Sequence, residues 1–156
     1  LKSGLLSTIM GTVLAATTIL LAPPASAVMP FGNYDLRIPD RRDFHTWALS
    51  ALAPCRGENN VKRHDCIEIQ LLPQPIAKAV EPVGEANLVD GRYSLTVDDP
   101  FGLRCGDIYY GPTIPTHDVY SWDANTLVGE MVSTFDVGCD NAPGGSFTYP
   151  ITLTRI

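Results

Sequence analysis

The chain reads as an all-β domain, about eight antiparallel strands closed as an up-and-down barrel and braced by two disulfides. Three observations predict this. After residue 27 no long stretch has helical periodicity, and the apolar residues fall in short runs rich in Val, Ile, Thr, Tyr and Phe. Of the thirteen glycines and thirteen prolines, eleven of each lie after residue 27 and punctuate those runs. Four cysteines, an even number, suit a small disulfide-braced domain. A two-sheet sandwich gives a similar pattern and is the alternative.

The elements follow in order. Tyr34 to Ile38 alternates apolar and polar residues, as a half-buried strand does, and Pro39-Asp40 turns the chain. Phe44 to Leu52 is the second candidate, although Ala48 to Leu52 also suits a short helix. Cys66 to Leu71 alternates as the third, and Pro73, Pro75 and Pro82 make the next stretch irregular. Ala86 to Val89 and Arg92 to Val97 flank Asp90-Gly91, a dipeptide suited to a tight type I′ hairpin. Asp99-Pro100-Phe101-Gly102 reads as a turn, opening a long loop through Cys105 to Pro115. Asp118 to Trp122, Leu127 to Phe135 and Phe147 to Ile156 complete the set. Eight antiparallel strands closing on themselves leave no long exposed edges.

The first 27 residues have a different character. Lys2 precedes an uncharged apolar run from Leu5 to Ala22, Pro23-Pro24 ends it, and Ala25-Ser26-Ala27 offers small residues for cleavage. This order is that of a secretory signal peptide. The expected organisation is a signal peptide at 1–27 and one exported β domain at 28–156, with no membrane span after cleavage. Residues 1–27 carry one base and no acid, so removing them takes the net charge from −6 to −7. So acidic a domain repels phosphate backbones, which argues against nucleic acid as a partner.

Cys55, Cys66, Cys105 and Cys139 lack the close spacing of a zinc site. Sequential pairing, Cys55–Cys66 and Cys105–Cys139, is expected, because the polar segment between the first two forms a hairpin-like turn. No catalytic residue is identified. There is no Gly-x-Ser-x-Gly elbow, and cysteines engaged in disulfides leave no thiolate. His45, His64 and His117 share no ligand spacing, so no metal or cofactor is expected. Asp123-Ala124-Asn125 reads as an Asx turn. In a hollow barrel, Trp47, Trp122, Tyr93 and Tyr120 are the candidates to line a cavity for a small apolar ligand. Tyr109 and Tyr110, in the long loop, are the candidates for surface contact with a protein partner.

Gly32-Asn33-Tyr34-Asp35-Leu36, Thr46-Trp47 followed by Cys55, Gly102-Leu103-Arg104-Cys105, Trp122 to Gly129 and Cys139 occur together. This set resembles small exported proteins of actinobacteria, especially the mycobacterial type. The resemblance covers most of the chain after residue 27 and implies an extracellular or cell-envelope setting. It carries no activity and no functional residue. The function expected is therefore a secreted non-enzymatic binding domain for a small apolar ligand. A surface module contacting an envelope protein, and a secreted hydrolase acting through carboxylates, are the alternatives.

Overall fold

The computed structural model describes Val28 to Ile156; residues 1–27, expected from the sequence to be a signal peptide, lie outside the described residues. Among the described residues eight strands follow one another: β1 (Gly32–Arg37), β2 (Thr46–Arg56), β3 (Lys62–Gln74), β4 (Val83–Val89), β5 (Arg92–Arg104), β6 (Thr113–Asp123), β7 (Val128–Val137) and β8 (Pro143–Arg155). Each pairs antiparallel with its sequence neighbour, and β1 pairs with β8, so the ring closes. That closure sets the sandwich aside.

Alternation decides which side chains enter the ring. Along β5, Tyr93, Leu95, Val97 and Asp99 are buried while Ser94, Thr96 and Asp98 are exposed. The same period of two buries Ile67, Ile69 and Leu71 on β3 and Thr116, Asp118, Tyr120 and Trp122 on β6. Asp90 and Gly91 both take positive φ, 49° and 78°, as the tight turn requires. Asp123 accepts the backbone N–H groups of Asn125 and Thr126, which makes the Asx turn between β6 and β7.

Two local expectations change. Asp99 to Gly102 does not turn the chain; β5 continues to Arg104 through an irregularity in its register with β6 between Asp99 and Leu103. The Asp99 carboxylate takes the Phe101 N–H at this distortion, so the turn-forming residues bend the strand without ending it. Ala48 to Leu52 is strand, held between β1 and β3.

The two ends of the barrel differ. Short turns join β2 to β3, β4 to β5 and β6 to β7 at one end, where Val28 and Ile156 also lie. Longer segments at 38–45, 75–82 and 105–112, with the tight 138–142 connection, share the other. At the turn end the Met29 N–H donates to the Tyr93 hydroxyl (3.3 Å), and the Tyr34 hydroxyl donates to the Pro30 carbonyl (2.6 Å). Residues 28–31 thereby cover the bottom of the ring. The disulfides form as Cys55–Cys66 and Cys105–Cys139. The first staples the β2–β3 hairpin, and the second ties the loop after β5 to the tip of the β7–β8 hairpin.

Candidate functional site

The cavity candidates separate along the barrel axis. Tyr93 and Trp122 are wholly buried, and their rings stack at 5.5 Å above the Met29 plug. Around them pack Leu49, Ile67, Ile69, Leu95, Met131 and Ile151 in one continuous core. Eight strands enclose a space that side chains of this size fill. Tyr120 is also buried, close enough to Arg41 to feel its charge, and desolvation pushes its hydroxyl well above the ordinary tyrosine range. Trp47 alone of the four lies at the loop end, in the wall of a cleft.

That cleft has a volume of about 430 Å³, lined by Asp35 to Pro39, Arg41, Asp43, His45, Thr46 and Trp47. Leu36, Ile38, Pro39 and Trp47 supply apolar wall, and Arg41, Asp43 and His45 supply charge and hydrogen-bonding capacity. The 38–45 segment folds inward instead of arching into solvent. Arg41 stands over the Trp47 ring, its guanidinium carbon 5.6 Å from the centroid. Its Nη2 donates to Asp99 Oδ2 (3.2 Å) and to the Gly102 carbonyl (3.1 Å).

Asp43 holds the second tier together. Its Oδ2 accepts the Trp47 indole N–H (2.8 Å), and its Oδ1 accepts the Phe44 N–H (2.8 Å). His45 Nδ1 lies 2.6 Å from the same Oδ1, while Nε2 faces the Ala77 carbonyl at 2.8 Å. Burial alone would raise the Asp43 carboxyl, but Arg41 beside it and the hydrogen bonds from Trp47 and His45 prevail and hold it below its ordinary value. Arg104, on β5, places Nε 3.4 Å from Asp43 and donates from Nη1 to the Tyr109 carbonyl. Asp118, deeper on β6, accepts the Ser133 hydroxyl at 2.6 Å. Burial drives its carboxyl up, and Ser133 and Arg41 offset this only in part.

The surface candidates rest on this network. Tyr109 is half-buried, its hydroxyl donating to the Ala77 carbonyl (2.9 Å), and its ring meets Phe44 at 5.4 Å and Tyr110 at 4.9 Å. Arg104 lies beneath both Phe44 and Tyr109, 5.2 and 5.6 Å from their centroids. Tyr110 and Ile108 are 70% and 73% exposed. The other two histidines are dispersed, with His117 paired to Asp98 (2.7 Å) on the outside of the barrel. The one group of metal-ligating side chains among the described residues is Cys55, Cys66 and Glu85, where the sulfurs are already bonded to each other.

Sequence reasoning did not find Arg41, Asp43, Asp99 and Arg104 as one unit. They come from one loop and one strand on opposite sides of the ring, and no spacing rule links them. The available signal was the Gly102-Leu103-Arg104-Cys105 motif, which holds Arg104 and the Gly102 carbonyl that Arg41 meets. Compared with protein-family models, curated proteins and solved structures, the chain matches none of them.

Proposed function

We propose that the chain is a secreted, non-enzymatic binding domain of the cell envelope or extracellular space, related to the small exported actinobacterial proteins it resembles. Its ligand sits in the mouth of the barrel, not its middle. The observation that carries this reading is the cleft beside Trp47, whose volume falls in the usual range for small-molecule sites. The lining refines the expected ligand from apolar to amphiphilic. An apolar body would cover Leu36, Ile38 and Trp47. Its polar end would be neutral, because Arg41 already faces Asp43 and Asp99.

The non-enzymatic reading is supported by access. Asp118 has the raised pKa expected of a catalytic acid, yet it has no exposed surface for a substrate to reach.

A thermal-shift and tryptophan-fluorescence titration with alkyl glycosides, monoacylglycerols and fatty acids tests the ligand. The neutral amphiphiles should bind best. At about 100 times its Kd a ligand adds about 2.7 kcal/mol to stability, and Trp47→Phe should remove most of the fluorescence change. A flat response across the panel overturns the reading. Intact mass of material recovered outside cells, beginning at Val28, tests export. A second reading, a protein-contact module, is favoured by the exposed Ile108–Tyr110 ridge on its Arg104 base. Tyr110→Ser would then abolish capture of an envelope partner without changing the amphiphile response.

A further inference from the structure

Strand β8 outruns its partner on one side. It pairs with β7 from Pro143 to Thr152, but β1 meets it only from Thr152 to Arg155. Among the described residues no strand pairs with Pro143 to Ile151 on the β1 side. The direction of the backbone groups follows from one bond: the Leu153 N–H donates to the Leu127 carbonyl, on the β7 side. Backbone groups alternate sides along a strand. Odd-numbered residues therefore serve β7, and Gly144, Ser146, Thr148 and Pro150 turn theirs toward the open edge. Pro150, without an N–H, sits where a central strand would not tolerate it and an edge does.

The edge also has little of the usual protection. Natural edges are blunted by proline, charged side chains, inward-pointing charges or covering loops. Of these the open stretch carries only proline, Pro143 at its start and Pro150 near its β1 end. From Asn141 to Thr154 there is no charged residue, in a chain of net charge −6. Phe147 lies opposite Ser133, on the face that Tyr149 and Ile151 direct into the barrel, yet it is 47% exposed. The β7–β8 hairpin rises past the rim, and its aromatic face goes with it: Phe147 contacts Phe135 at 5.5 Å and Tyr149 at 6.1 Å.

We propose that this edge pairs with the same edge of a second copy, as a two-fold antiparallel β8–β8 contact centred on Phe147. In that register Phe147 faces its own counterpart. Ser146 faces Thr148 of the second copy, and the pair exchanges both N–H···O bonds. Gly144 donates to the carbonyl of Pro150, so the position lacking an N–H falls at the end of the run. A second copy fits better than a foreign strand because an antiparallel edge is its own complement under a two-fold axis. The uncharged run lets two acidic protomers approach without opposing carboxylates.

Sedimentation velocity of the purified protein, from micromolar to about 1 mM, should show a monomer–dimer equilibrium. Amide hydrogen exchange should show Ser146 and Thr148 protected in the dimer and unprotected on dilution. Thr148→Pro removes an N–H that no strand pairing among the described residues uses, so it should stay folded by circular dichroism and dimerise at least about ten-fold more weakly. Ser146→Lys, which adds an edge charge, should do the same. The proposal is overturned by a monomer at the highest concentration with both amides unprotected. A dimer indifferent to both variants overturns it too, as does protection that arises only when an unrelated extended peptide is added.

Discussion

Arg41 and Asp99 join across the mouth of the barrel, the guanidinium Nη2 lying 3.2 Å from the carboxylate Oδ2. One belongs to the loop after β1 and the other to β5, on the far side of the ring. Both side chains are more than nine-tenths buried. The contact therefore fixes a loop in place across the opening and makes the cleft beside Trp47 a standing feature.

Replacing Arg41 should be severe. Arg41→Met keeps much of the packing over Trp47 but leaves Asp99 buried without its cation and Asp43 with Arg104 alone. Breaking a buried pair in this way costs about 3–5 kcal/mol, measurable as a lower urea midpoint. Arg41→Lys should recover only part of the loss, since one ammonium cannot reproduce the forked contact to Asp99 and Gly102.

Stability should respond to pH in two opposite ways. Asp43 is held below its ordinary value of 3.8, so its contribution is complete above that value and is lost as pH falls through the lower, folded-state value. Asp118 is raised above 3.8, so the folded state holds its proton more tightly, and stability declines as pH rises through the folded-state value. Asp118→Asn should remove the second decline. The Ser133 hydroxyl can still donate to its oxygen, and the Thr116 hydroxyl, which makes no hydrogen bond of ordinary geometry, lies beside it to accept. Urea titrations at acid and neutral pH should find the variant gaining on the wild type as pH rises.

Gly102 has no room for a side chain. A Cβ there would fall within 1.8 Å of the Thr116 hydroxyl oxygen. Gly102→Ala should cost about 1–3 kcal/mol, the usual range for overpacking, and should weaken the Arg41 contact with the Gly102 carbonyl. Thr116→Ala removes the nearest obstructing atom. The double variant should therefore be less destabilised than the sum of the two, a coupling read from a double-mutant cycle.

Removing the Cys105–Cys139 bond as a double serine variant should cost about 4 kcal/mol in the chain-entropy account, and removing Cys55–Cys66 about 3. The first should also loosen the cleft, because it ties the loop carrying Tyr109 to the β7–β8 hairpin. Denaturation curves of both variants and the amphiphile titration together distinguish a stability effect from a binding effect.

The barrel was legible because its signals are local. Tyr34-Asp35-Leu36 states its own alternation, Asp90-Gly91 its own turn, and the polar run between Cys55 and Cys66 its own hairpin. The strand ends were less legible. Asp99-Pro100 carries turn chemistry that the structure spends on a distortion inside β5, since β6 continues alongside. The site was mostly illegible. Arg41-Arg42 looks like any charged surface pair, yet Arg41 is buried and Arg42 meets Asp107 in solvent at 3.1 Å. Only the crossing of the ring tells them apart. Trp47 and Tyr109 could be named as aromatics of interest, but the polar base that seats both is a product of tertiary structure.

The seam of the ring lies between the first strand and the last. Every other strand finds its neighbours next to it in the sequence, so hairpins can form early and independently. The β1–β8 pairing cannot. It joins Tyr34 to Arg155 and must wait for nearly the whole chain to become available. A sheet lacking that pairing has two open edges and an uncovered apolar face. Slowing the delivery of β8 should prolong that open state, and handling by holding factors should track the arrival of the final strand.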